Sequence, residues 1–262
     1  MNPTGKFRSR MGFVAFVLSV FLTACESTQG GPDAKLLAKA KAGDASAQLA
    51  MAEKQTDASV AAGWYRQAAK QGNARAQAAL GLMYLQGKGV SKDETQGNLW
   101  IQKSADGGFP LAQRLMCSRS LSQDDYARNA RTLEWCEKAA AQNDPVAESI
   151  LGQMYLMGKG VKKDLPQAAD WFRKSAEQGN GVAQMSLGRM CLLGMGTKQD
   201  AAESYFWLKL ASLGQNELEA PEQVQKELAL QAKALPFGQK DAVEKRVQEW
   251  LKTHPTASLA NN

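Results

Sequence analysis

The sequence predicts an all-α solenoid, and three regularities predict it. Trp64, Trp100, Trp135, Trp171 and Trp207 are separated by 36, 35, 36 and 36 residues, a fixed period in the range of stacked supersecondary units. Each unit carries apolar residues at helical spacing on two segments. Between the segments lies a glycine-containing loop, best formed at Gly87-Lys88-Gly89, Gly158-Lys159-Gly160 and Gly194-Met195-Gly196.

The stretch from Ala147 to Gly179 shows one whole unit. Ala147, Leu151 and Tyr155 lie four apart and share one face of a first helix. Gly152 carries no side chain and permits close approach of a neighbouring helix. Gly158 and Gly160 suit positive φ and end that helix. Asp93, Asp164 and Asp200 each precede their tryptophan by seven residues and are expected to cap a second helix. That helix is expected to bury the tryptophan, its neighbour and a small Ala pair. No unit buries its apolar face alone, so stability must come from stacking on the next.

Taken in order, the chain opens with Lys6, Arg8 and Arg10, then an apolar run from Met11 to Phe21. That run is too short to span a bilayer comfortably, so residues 1–24 read as a signal peptide rather than a transmembrane helix. The polar, breaker-rich Glu26 to Pro32 reads as a tether, giving a 25–32 segment before the fold. Asp33 is expected to cap a short helix through Ala42. Gly43 precedes Gly72 by 29 residues, which shortens the loop between Lys54 and Ala58 and makes the first unit an atypical terminal one. The unit from Ala112 to Asn143 departs most. Cys117 replaces the tight-packing glycine, Ser120 the tyrosine, and Leu121 to Asp125 the Gly-x-Gly loop, while Trp135 and Ala139-Ala140 persist. Asp144 and Pro145 suit a cap and a first helical position. Pro221 to Leu235 and Lys240 to Trp250 read as two amphipathic helices split at Pro236-Phe237-Gly238. The expected organisation is thus a solenoid of about five units over 33–215, capping helices over 216–252 and a frayed tail over 253–262.

These residues carry a family resemblance. The run Ala-x-x-x-Leu-Gly-x-x-Tyr-x-x-Gly-x-Gly-Val-x-x-Asp, followed by Ala, Trp-aromatic and Ala-Ala-x-x-Gly, resembles the Sel1-like repeat, a relative of the tetratricopeptide repeat. The likeness extends from about Gly43 to Gln215. It implies a right-handed superhelical solenoid of helix-turn-helix repeats that serves as a protein-binding scaffold. Leu22-Thr23-Ala24-Cys25 resembles the lipobox of bacterial lipoproteins. That likeness implies cleavage before Cys25, lipidation of Cys25, and, with Glu26 following, a place on the periplasmic face of the outer membrane.

Composition narrows the function. The whole chain has a formal net charge of +6 from 32 basic and 26 acidic residues. Loss of the three basic residues of the leader leaves about +3, a mixed surface with no single-sign patch, so nucleic acid is not an expected partner. The single histidine, His254, excludes His-based triads and multi-His metal sites. No Gly-x-Ser-x-Gly, Ser-x-x-Lys or His-Glu-x-x-His occurs. No catalytic residue, metal or cofactor is therefore expected, and the Gly-x-Gly loops read as turns rather than phosphate cradles.

With Cys25 lipidated, Cys117, Cys136 and Cys191 remain. Cys117 and Cys136 face one another across a unit, so a disulfide is geometrically plausible; three buried thiols are the equal alternative. Cys191, at a repeat tyrosine position, reads as buried and unpaired.

In such solenoids first helices line the binding face. Gln77, Gln113, Glu148 and Gln184 occupy one repeat position there, Ser118, Gln153 and Arg189 another, with Arg114 alongside. This polar column is the expected partner-binding surface, against the alternative of ordinary solvated helix. The resemblance implies a protein partner of one of two kinds. An envelope assembly component would make the chain a membrane-anchored scaffold. A secreted phospholipase effector of a type VI system would make it an immunity lipoprotein. An envelope hydrolase is the weaker third reading.

Overall fold

The computed structural model describes residues 32–121, 130–214, 221–236 and 238–254. The expected signal peptide, Cys25, most of the tether, the loop after Leu121, Phe237 and the tail beyond His254 lie outside the described residues. Among the described residues the chain forms thirteen helices and no strand. They are α1 (Pro32–Lys41), α2 (Ala45–Glu53), α3 (Ala58–Lys70), α4 (Ala74–Gln86), α5 (Glu94–Asp106), α6 (Pro110–Leu121) and α7 (Ala130–Ala140). There follow α8 (Pro145–Met157), α9 (Leu165–Glu177), α10 (Gly181–Leu193), α11 (Ala201–Leu213), α12 (Pro221–Ala234) and α13 (Gln239–Thr253).

Short side chains start these helices. Asp93, Asp164 and Asp200 cap α5, α9 and α11, accepting from Gln96, Gln167 and Glu203 backbone N–H groups. Asp44, Asp57, Asn73, Asp144 and Asn180 do the same for α2, α3, α4, α8 and α10. Each satisfies a donor that the first helical turn leaves unpaired. Asp33 is not a cap: α1 begins at Pro32, which places Asp33 inside its first turn. Gly87, Gly158 and Gly194 end first helices in the left-handed region, where a Cβ would be strained. Asn143 holds positive φ at the corner where Gly43, Gly72, Gly108 and Gly179 stand; asparagine is among the few side chains that tolerate it.

The chain divides between Lys92 and Asp93 into two compact units. In the first, α2 and α3 form a pair, with α4 packed on α3 and α1 packed on α2. Gln48 on α2 donates to the Ala40 carbonyl on α1, and Lys54 pairs with Asp33. Helix α1 therefore stands where a second helix of a preceding unit would stand, as a half-unit cap. Gly89 lies so close to α3 that a Cβ there would sit 2.1 Å from the Ala58 carbonyl oxygen.

In the second unit α6 pairs with α7, α8 with α9, and α10 with α11, with further contact from each pair to the next. The core runs through Phe172, Leu187, Phe206, Leu208, Val224 and Val247, all almost fully buried. Burying a side chain of this size contributes roughly 1.5–3 kcal/mol. The expectation of a buried tryptophan holds at Trp135 and Trp207, which are 3% and 4% exposed, and needs correction elsewhere. Trp100 and Trp171 are only half-buried, whereas the next residues, Ile101 and Phe172, are at most 2% exposed. Trp100 and Trp171 flank the core, and Lys103, Lys138 and Lys174 lie over the Trp100, Trp135 and Trp171 rings at 4.6, 4.7 and 4.3 Å.

Helices α12 and α13 both pack on α11 and seal this end. Arg246 pairs with Glu203 and lies over Phe206, and Tyr205 donates to Glu244 at 2.7 Å. His254 is not frayed as expected; its ring stacks on Trp250 at 4.0 Å between centroids.

Candidate functional site at the repeat seams

The last carbonyls of a helix have no partner within it, and the second helix of each unit ends against the first helix of the next. Gln48, Gln77, Gln113 and Gln184 each extend a side-chain amide back eight residues. They donate to the carbonyls of Ala40, Ala69, Ala105 and Ala176 at 3.1, 3.1, 3.2 and 3.1 Å. The oxygen of the same amide accepts in turn from a glutamine after the following helix: Gln71 donates to Gln48 at 2.8 Å and Gln142 to Gln113 at 2.6 Å. A buried amide with both its donor and acceptor engaged ties consecutive helices together.

This changes the expected binding column. Gln77, Gln113 and Gln184 are 8%, 4% and 2% exposed and are occupied by the backbone, so they are seam residues rather than partner contacts. Arg114 is committed to Asp144 at 3.6 Å. Arg189 makes a bidentate pair with Glu227 of α12, at 3.0 and 2.8 Å, which fixes the capping helix. Ser118 bonds back to the Arg114 carbonyl. Gln153 is half-exposed. The signal for the latch was present in the sequence as Ala-x7-Gln at four of five seams, but a polar residue at helical spacing reads equally as surface.

Glu148 breaks the series. It occupies the latch position of α8, is 3% exposed, and as a carboxylate has no proton to give the Ala140 carbonyl. It accepts from Gln178 at 2.7 Å through Oε2. Burial pushes its pKa above the ordinary glutamate value, opposed by Lys174 and the Gln178 hydrogen bond, while Asp144 and Glu177 add to the rise. Glu148 forms part of the lining of a 610 Å³ groove between the C-terminal ends of α7 and α9, walled by Trp171, Lys174, Glu137 and Glu177.

The helix pair adjoining this seam, α6 and α7, holds the disulfide. Cys117 and Cys136 are bridged, with Cα atoms 4.8 Å apart, and Cys191 is free and buried. The neighbouring units explain the position. A Cβ at Gly152 would lie 2.7 Å from the Phe172 ring, and one at Gly188 would lie 2.8 Å from Leu208 Cγ. Phe172 and Leu208 each follow their tryptophan, as Cys136 follows Trp135. A glycine-and-large pair in two units is thus a cystine in the third. Among the described residues no group of three or more His, Cys, Asp or Glu side chains is placed to hold a metal ion, and no helix is long and apolar enough to cross a membrane.

The Sel1 repeat pattern matches residues 45–73, 74–109, 122–144, 145–180 and 181–216, more than half of the chain. The chain belongs to the Sel1 repeat family. Its match to the degenerate unit begins only at residue 122, after the α6 helix that carries Cys117. A Sel1 repeat solenoid is also what the solved structures show. A protective antigen of uropathogenic Escherichia coli with an SLR fold is 30% identical, at a TM-score of 0.75, over 87% of this chain and 50% of that one. A Sel1 repeat protein from Oxalobacter formigenes is 34% identical, at a TM-score of 0.60, over 74% of this chain and 57% of that one. An uncharacterized protein of Neisseria meningitidis is 30% identical over 105 residues, 38% of this chain and 21% of its own. The Sel1 chain therefore spans about a fifth of that relative and about half of the solved ones.

Proposed function

We propose that this Sel1 repeat protein is a non-enzymatic scaffold that binds a protein partner while held at the periplasmic face of the outer membrane through lipidated Cys25. One observation carries the binding reading. Consecutive repeats leave large apolar side chains in solvent at the same place, the last turn of the first helix, with Met157 49% and Leu193 63% exposed. Gln153 and Arg189 lie one turn before them on the same face. An apolar side chain repeated outside the core at repeat spacing is a feature of a contact surface more than of stacking. The lipid anchor rests on the lipobox-like Leu22 to Cys25, and tethering raises the effective concentration of any partner at the membrane.

The test is crosslinking in living cells, followed by capture from the membrane fraction and mass spectrometry, comparing wild type with a Met157→Asp/Leu193→Asp double variant. Enrichment of envelope assembly components that is lost in the variant supports the scaffold. One stoichiometric partner with phospholipase features points instead to the immunity role. An unchanged partner set in the double variant contradicts the assigned surface. Cys25→Ser is expected to move the protein out of the membrane fraction; its retention there would contradict the anchor.

A further inference from the structure

The groove between α7 and α9 differs from its counterparts by two changes at one place. Glu148 replaces the latch glutamine found at 48, 77, 113 and 184. Ala141 stands where larger side chains follow the alanine pair or its equivalent elsewhere, Lys70, Asp106, Glu177 and Leu213. The first change puts a carboxylate into the floor of the groove and the second clears its mouth. A carboxylate offers about four lone-pair sites; Glu148 accepts from Gln178 through Oε2, and Lys174 acts on it as a favourable charge. Buried charge is costly unless it is paired. Glu137 and Glu177 add two more carboxylates at the rim, against one ammonium, that of Lys174, which lies over the Trp171 ring. The groove thus combines an excess of negative charge, a carboxylate at its floor that retains acceptor capacity, and an indole wall.

We infer that this groove is a docking site for a basic side chain, arginine or lysine, of a protein partner, with Glu148 as its counter-charge and Trp171 as the wall against which it packs. A guanidinium suits it best, since its planar fork matches a carboxylate and its face stacks on an aromatic ring. The space suffices: 610 Å³ is within the range of pockets that enclose a small ligand. Lys174 occupies the indole face in the free protein and is displaced toward solvent on binding. This inference rests on the protein-binding reading and names the chemistry that the partner presents at this seam.

The test uses the whole described chain with 15N-labelled indoles, the Trp171 signal being identified by its loss in Trp171→Phe. The probe is the capped tripeptide acetyl-Gly-Arg-Gly-amide, with acetyl-Gly-Gln-Gly-amide as the uncharged control. A saturable shift of the Trp171 signal at millimolar arginine peptide is expected, with no saturable shift for the glutamine peptide. Glu148→Gln is expected to weaken binding at least tenfold while melting no lower than wild type, because glutamine restores the latch. Ala141→Lys, which places at this seam the residue that the first repeat carries, is expected to abolish the shift and leaves Glu148 in place. Equal shifts in Glu148→Gln, or equal shifts with both peptides, would overturn the inference. So would the absence of any saturable shift. The peptide titration is independent of the cellular capture. A native partner lost in the Met157→Asp/Leu193→Asp variant but kept by Glu148→Gln would remove this site and leave the protein-binding reading standing.

Discussion

The seam between α9 and α10 and the seam between α7 and α8 do the same structural job by different means. At the first, Gln184 donates to the Ala176 carbonyl, Gly179 turns the corner, and Gly188 lets Leu208 pack tightly. At the second, Glu148 cannot donate, Asn143 turns the corner at positive φ, and the adjoining helix pair is joined covalently through Cys117 and Cys136. One seam is held by a buried amide; the other has a buried carboxylate in its place, beside a cross-linked pair. A repeat can therefore lose its loop motif and its latch together if a local cross-link constrains the unfolded chain. What it gains in exchange is a groove with a charge in it.

The largest expected effect lies on the cross-link. Removing it in a Cys117→Ala/Cys136→Ala variant should cost about 3 kcal/mol, the loop-closure contribution for a bridge spanning a separation of 19 residues. Solenoid stability is a sum of local terms, so the loss should concentrate in α6 and α7. Hydrogen exchange reads it as earlier opening of those helices. Uniform protection in reduced and oxidised protein would show that the cystine carries no stability.

Next is the tight glycine of the regular repeats. Gly152→Ala forces a Cβ against the closed, fully buried Phe172 ring and should cost about 2 kcal/mol, in the range of overpacked cores. The comparison sharpens if the loss is reduced in Gly152→Ala/Phe172→Leu, where a smaller side chain yields. A Gly152→Ala protein with an unchanged melting point would place Phe172 elsewhere. Smaller again is the latch itself. Gln184→Ala removes one buried side-chain-to-backbone bond and should cost about 1 kcal/mol, measured by chemical denaturation against a solvent-exposed control such as Lys226→Ala.

Much of this was legible in the chain. The tryptophan period located the repeats because stacked units must present equivalent apolar residues at equivalent positions, and the aspartates seven residues ahead located second-helix starts because a helix needs its first donors capped. The Cys117 and Cys136 positions followed from the repeat alignment. Their state did not, because two facing thiols and a cystine have the same spacing. The role of Gln77, Gln113 and Gln184 was misread because the partner is a backbone carbonyl, which carries no residue identity and leaves no mark in a sequence. The same blindness hid the groove. Glu148 reads as one member of a polar binding column and Ala141 as an ordinary helix residue, until the latch shows what stands at their places in the other units. Trp64, Trp100 and Trp171 were placed too deep for a related reason, whereas Trp135 and Trp207 are buried as expected. An indole at repeat spacing fits a core position or its edge, and the period is the same for both.

The most direct test of the latch is Glu148→Gln, followed by denaturation across pH. The folded-state pKa of Glu148 is raised by burial, with Asp144 and Glu177 adding to the rise and Lys174 and Gln178 opposing it. The folded protein therefore holds the Glu148 proton more tightly than the unfolded chain. Below the ordinary value of 4.5 both states are protonated and the carboxyl carries no penalty; stability contributed by this group falls as pH rises through the window above that value. Glutamine has no such titration and supplies the missing donor to Ala140. Glu148→Gln is therefore predicted to be more stable than wild type at neutral pH, by about 1 kcal/mol, with the difference shrinking on acidification. A variant equal to or less stable than wild type at neutral pH, or a difference that does not change with pH, would contradict the account.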